Sequence, residues 1–111
     1  MTRITVFIKP HRLEPVKSAM SAAGANGLTV GDVRGVGNSK ETSSLFGGDE
    51  VLALPIRARL EAVVADDLVE ELLTRILEVA RTGRPDDGKV FLERVEDAVR
   101  IRTSERGDLA L

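Results

Sequence analysis

A chain of 111 residues carrying a net charge of −2 is large enough for one core and too small for two. The absence of cysteine excludes disulfides, thiolate metal sites and cysteine nucleophiles, and the slight negative charge gives nucleic acid no overall attraction. No apolar run approaches the roughly 20 residues that span a bilayer, and Met1-Thr2-Arg3 leads into a strand rather than a signal peptide, so the expectation is a soluble, cytoplasmic domain.

In chain order, Ile4, Val6 and Ile8 alternate with Thr5, Phe7 and Lys9, which predicts a strand that Pro10 ends. Leu13, Val16, Met20 and Ala23 recur at helical spacing, and Gly24 stands where a C-cap glycine belongs. Leu28 to Val36 reads as a second strand closing on Gly35-Val36-Gly37. From Asn38 to about Leu54 no period survives, and a loop of that length is expected to be functional or disordered. Its apolar residues suit a segment that orders against a partner; an extended hairpin packed on its own subunit is the alternative. Ile56, Ala58, Leu60, Ala62 and Val64 give a third strand. Asp67 and Glu70 have capping-box spacing, and Leu68, Leu72, Leu73, Ile76 and Val79 supply the apolar stripe of a second helix ended by Gly83 and Pro85. Val90, Phe91 and Leu92 predict a fourth strand, with Ala98 to Arg102 extended beyond it.

The order β-α-β-loop-β-α-β is that of a ferredoxin-like α+β fold, an antiparallel sheet with two helices on one face. Phe7, Val63 and Phe91 fall on the other face, which favours oligomerisation. Chemistry concentrates in Thr82-Gly83-Arg84-Pro85-Asp86-Asp87-Gly88-Lys89. Glycines let such a bend approach a ligand, its amides can form an anion nest, and Arg84 and Lys89 add cations. The spacing is not that of a P-loop, and taken alone the segment also reads as an ordinary turn. Alternation on an extended segment would put Arg100 and Arg102 on one side, where guanidinium groups can grip phosphate.

Nearly the whole chain resembles the nitrogen-regulatory PII signal-transduction family. The resemblance rests on Ile8-Lys9-Pro10 with Leu13, Gly27-Leu28-Thr29-Val30, Val33-Arg34-Gly35-Val36-Gly37, Asp66-Asp67, Thr82-Gly83, Asp87-Gly88-Lys89-Val90-Phe91 and Arg100-Ile101-Arg102-Thr103. All stand in family order, with one residue missing from the long loop. The resemblance implies a single domain over residues 1–111 that forms a homotrimer. Its T-loop would run from about 38 to 54, its B-loop from 82 to 89 and its C-loop from about 100 to 111. It further implies an adenine-nucleotide site between subunits. Gly35, Val36, Gly37, Asn38, Glu61, Val63, Asp87, Gly88 and Lys89 would line it, with Gly27, Leu28, Thr29, Arg100 and Arg102, several from the neighbouring chain. A membrane transporter or a metabolic enzyme of nitrogen or inorganic-carbon metabolism would be the target of the T-loop.

Departures from the family pattern refine this. Val51 stands where uridylylated members carry tyrosine, so that control is not expected. Ser39 replaces a glutamine that helps hold magnesium and 2-oxoglutarate, which disfavours both ligands. Asn38 removes a phosphate-facing arginine, and Asp86 puts a carboxylate where the B-loop has glycine. Arg57 is a stand-in for the oxoglutarate-pairing lysine. ADP or AMP is therefore expected to bind at least as well as ATP, with bicarbonate open as a further ligand. Against a non-enzymatic sensor stand a slow nucleotide hydrolase using Asp86, Asp87 and Glu61, and a nucleotide-free trimeric scaffold. An RNA-binding module is disfavoured, because Phe7, Phe46 and Phe91 are the only aromatic residues on which bases could stack. His11 is the only histidine and has no evident serine partner for a triad.

Overall fold

The computed structural model describes residues 1–37 and 54–111; Asn38, Ser39, Phe46 and Val51, and with them nearly all of the expected T-loop, lie outside the described residues. Strands β1 (Thr2–Ile8), β2 (Thr29–Arg34), β3 (Ile56–Val64) and β4 (Gly88–Arg94) and helices α1 (Leu13–Ala22) and α2 (Val69–Ala80) follow the expected order. The strands form one antiparallel sheet ordered β2-β3-β1-β4, which is the ferredoxin-like arrangement.

Alternation sets which face is buried. Ile4, Val6 and Ile8 of β1 and Ala58, Leu60, Ala62 and Val64 of β3 are buried against Val16 and Met20 of α1 and Val69, Leu72, Ile76 and Ala80 of α2. Each large side chain removed from water there contributes about 1.5–3 kcal/mol. The opposite face carries Thr5, Phe7, Arg59, Glu61, Val63, Lys89 and Phe91, with no helix over it among the described residues. Phe7 and Phe91 meet edge to face with ring centroids 6.0 Å apart, a favoured aromatic geometry.

Helix α1 stops as expected. Gly24 has φ +107°, its amide donates to the Ser21 carbonyl at 3.2 Å, and the Ala25 amide donates to that of Met20 at 3.0 Å. Those two bonds make a Schellman ending. Three local expectations need correction. No side chain caps α2, which starts after a 3-10 turn at Asp66–Leu68. Asp66 instead accepts the Thr2 hydroxyl at 2.7 Å and pairs with the Met1 amino group, so it fastens the start of β1 in place of a capping box.

The second correction is that α2 ends before Gly83. Arg81 already has extended backbone angles, because the Arg12 guanidinium takes the Val79 carbonyl and Asp87 takes the amides of Thr82 and Gly83. Third, the extended run that starts at Ala98 stops at Arg100: Val99 bridges antiparallel to Arg106, and Ile101 to Thr103 form a turn. The Arg100 amide donates to Glu105 O at 2.9 Å, the Ser104 amide to Arg100 O at 2.8 Å and the Gly107 amide to Ala98 O at 3.0 Å. Ser104 sits at φ 63° in that turn. The chain folds back on itself because Asp97 accepts from Arg106 Nε at 2.8 Å and from the Gly107 amide at 3.1 Å.

One glycine is fixed by geometry. Gly88 has φ +119°, and a Cβ there would lie 2.0 Å from the Phe7 carbonyl oxygen, an atom of the sheet ladder that has nowhere to go. Gly88→Ala is expected to destabilise the protein by on the order of 2 kcal/mol or more. Gly31→Ala, with nothing within 4 Å, should change it by less than about 0.5 kcal/mol. Urea unfolding of both variants checks the contrast; equal stabilities would refute it.

Candidate functional site

Register divides the expected site residues into two groups. In the first, Gly35 leaves β2 with its amide on the Pro55 carbonyl at 3.1 Å, and Val36 and Gly37 follow. Across the same end of the sheet, Ile8 pairs with both Ala58 and Gly88, so Lys9, Arg57, Asp86, Asp87, Gly88 and Lys89 gather there. The turn is built by Asp87. Its carboxylate accepts the Thr82 amide at 2.7 Å, the Gly83 amide at 2.9 Å and the Thr82 hydroxyl. The Asp87 amide donates to Arg84 O at 3.2 Å, closing a turn over Arg84 to Asp87. Asp87 thus organises the loop from within, a task its position in the motif does not announce.

Partial burial raises the Asp87 pKa, but the hydrogen bonds from Thr82 and Gly83 and the nearby Lys9 charge outweigh it, leaving the group below the ordinary carboxylate range. Asp86 is not the bare negative charge that its replacement of a glycine suggests. It pairs with Lys9 Nζ at 2.8 Å and with Arg57 at 3.7 Å, and the Lys9 hydrogen bond holds its pKa down against partial burial. Lys89 is exposed and has no ion-pair partner among the described residues.

The second group lies at the other end. Gly27, Leu28 and Thr29 enter β2, Thr29 pairs with Glu61, and Val63 follows two residues on. With Asp108 and Leu111 of the C-terminal turn, Gly27, Thr29, Glu61 and Val63 line a cleft of about 450 Å³, whereas Leu28 packs against the core. Arg100 belongs to this end, its guanidinium on Glu105 at 3.7 Å and on the backbone oxygens of Leu109 and Leu111 at 3.4 and 3.3 Å. Arg102 is exposed, on a turn that also holds Ile101 fully in solvent at 99% exposure. The two arginines are therefore not a side-by-side pair: one is held by its own chain and the other projects.

Gly35 lies six residues beyond Thr29 along β2, roughly 20 Å at the strand rise. Thr29 and Lys89 stand on opposite edge strands, three strand spacings or about 14 Å apart. Glu61 belongs to the second group and Asp86 and Asp87 to the first, so the three carboxylates considered for metal or water activation do not converge within a chain. No cluster of three or more metal-ligating side chains exists among the described residues, and none of the helices described is long and apolar enough to cross a membrane.

An antiparallel four-stranded sheet with both helices on one face and a charged turn and a cleft at its two ends defines the chain as a ferredoxin-like α+β domain. Comparison with known proteins takes this further. The profile of the family described as Nitrogen regulatory protein P-II matches residues 1–105. The chain is 41% identical to Nitrogen regulatory protein P-II of Haemophilus influenzae, with 100% of each covered. It is 42% identical to the protein of the same name from Cereibacter sphaeroides, again with 100% of each covered. With Nitrogen regulatory protein GlnK of Escherichia coli the identity is 39%, over 100% of both. The chain belongs to the P-II family of nitrogen-regulatory signal-transduction proteins. Its relatives bear the names of regulators, not enzymes, which fits the non-enzymatic expectation.

The carboxylates of Asp66, Asp86, Asp87 and Asp97 are all held below their ordinary pKa. A folded-state pKa below the unfolded one contributes stability at neutral pH that disappears as the pH falls through the folded value. Unfolding free energy is therefore expected to drop as the pH falls from about 5 towards 2, and Asp87→Asn should flatten part of that slope. A wild-type stability that stays level over this range would contradict the assignment.

Proposed function

We propose that this protein is a nucleotide-responsive regulator: it assembles as a homotrimer, binds an adenine nucleotide between subunits and passes the state of that site to a target through residues 38–54. The observation that carries the reading is the separation of the two groups. Gly35, Asp87, Gly88 and Lys89 offer one half of an anion-binding cleft, while Thr29, Glu61, Val63 and Arg102 offer another that the same chain cannot bring to it. A neighbouring copy, docked on the open sheet face, would supply the missing half, and Ile101 and Arg102, both exposed, would reach across.

In this arrangement Val36 and Val63 would flank the purine, while Lys89 and Arg102 would meet phosphate. The exposed Lys89 ammonium already lacks a local partner among the described residues, so a ligand phosphate would be the first anion it holds. Gly35 and Gly37 adjoin both the site and the target-facing segment, so a ligand would bias that segment by its differential affinity for the segment's conformations. ADP and AMP are the favoured ligands and ATP is accommodated; the target is a transporter or metabolic enzyme of nitrogen or inorganic-carbon metabolism.

Calorimetry with AMP, ADP and ATP tests this reading. At least one nucleotide should bind, and Lys89→Ala should weaken it by about ten- to a hundredfold, the value of one charge-assisted hydrogen bond of roughly 1.5–3 kcal/mol. Mass determination in solution should give three times the chain mass. No heat and no thermal shift with any of the three nucleotides would defeat the proposal.

A further inference from the structure

Side-chain amides are scarce in this chain: it has no glutamine, and Asn26 and Asn38 are its only asparagines. Asn26 is followed by Gly27, and both are exposed on the irregular stretch between the end of α1 and the start of β2. The chain is anchored on either side of them. Ala25 is buried with its amide on the Met20 carbonyl at 3.0 Å, and Thr29 pairs with Glu61. Between these anchors, no backbone hydrogen bond takes the Gly27 amide among the described residues, and nothing lies within 4 Å of where a Gly27 Cβ would stand. A glycine amide has no Cβ to hinder its nitrogen, so it can reach the side-chain carbonyl of a preceding asparagine; this cyclisation is one reason asparagine is thermolabile. Asp87-Gly88 has a comparable pattern and is held shut. The Asp87 carboxylate is taken by Thr82 and Gly83, and Gly88 is paired with Ile8 in the sheet.

We propose that Asn26 is a self-modification site, at which a neutral amide of the cleft is converted into a carboxylate that weakens the binding of anionic ligands. The Gly27 amide nitrogen gives up its proton to hydroxide and attacks Asn26 Cγ. A bond forms between Gly27 N and Cγ, the Cγ–Nδ2 bond breaks, and ammonia leaves with a proton taken from water. Water then opens the succinimide at either carbonyl to give aspartate or isoaspartate, with no change of oxidation state. Asn26 lines the same cleft as Gly27, Thr29, Glu61 and Asp108. Glu61 and Asp108 already bring carboxylates to it, so a further negative charge adds to the repulsion that an anion meets there. The isoaspartate product also lengthens the backbone just before Leu28 and Thr29, which disturbs the entry into β2. For the identity of the ligand, this rests on the nucleotide reading above.

The test ages the full chain in warm, mildly alkaline buffer and follows it by peptide mass spectrometry, with ADP titrated into fresh and aged protein. The peptide that contains Asn26 should gain the mass of a single deamidation and carry isoaspartate. Aged wild type and fresh Asn26→Asp should both bind ADP roughly three- to tenfold more weakly than fresh wild type. Asn26→Gln, whose longer side chain closes the corresponding ring far more slowly, should keep its affinity through ageing. An Asn26 that stays intact while the fold survives overturns the proposal, as does a deamidated chain that binds ADP as tightly as the fresh one, or an equal loss in aged Asn26→Gln. If ADP fails to bind fresh wild type while Asn26 still converts, the nucleotide reading falls and the modification site stands.

Discussion

Both helices pack on one face of a four-stranded sheet, and this one-sidedness governs everything else in the molecule. Burying Ile4, Val6, Ile8, Leu60 and Val64 under α1 and α2 turns the intervening residues outward by the period of the strand. Phe7, Val63, Phe91 and an ionic lattice of Arg3, Glu61, Glu93 and Arg59 are left uncovered by either helix. Such a face is too apolar to be a mere solvated surface and too charged to be a missing half-core. It suits contact with copies of itself, where the same patch can be satisfied repeatedly under rotational symmetry.

The loops depend on that sheet. Register places the Gly88 turn at the same end as Gly35 and the Thr29 turn at the opposite end, and no rearrangement of side chains can bring them together in one chain. Within each end, carboxylates do the local building: Asp87 collects the amides of Thr82 and Gly83, and Asp97 ties Arg106 and Gly107 back to the strand exit. These acids leave Lys89 and Arg102 outward-facing. A module that presents cations on ordered turns is pre-organised for an anion, which reduces the cost of binding one.

Much of this was legible in the sequence where periodicity reports burial. Alternation in β1 and β3 and the apolar stripe of α2 were readable because each buries one side, and Gly24 was readable because only a left-handed residue ends a helix that way. The C-terminal turn was not: Arg100 and Arg102 alternate like a strand, and only the bonds of Asp97 to Arg106 and Gly107 and of Glu105 back to Arg100 fold the segment back. Nor could Asp86 be seen as paired, since Lys9 lies far from it in sequence and meets it only through the β1–β4 register. The site residues were named from family motifs, but their division between two ends of the sheet is a property of register alone.

The central claim, that each site is shared by two chains, is tested most directly by complementation. Lys89→Ala and Arg102→Ala chains, each deficient in ADP binding as a pure assembly, are co-expressed and their mixed assemblies isolated and titrated with ADP. A shared site predicts that wild-type affinity returns at about one third of the interfaces of the mixed trimers, those where an intact Lys89 faces an intact Arg102. Mixed assemblies that bind no better than either parent would contradict it.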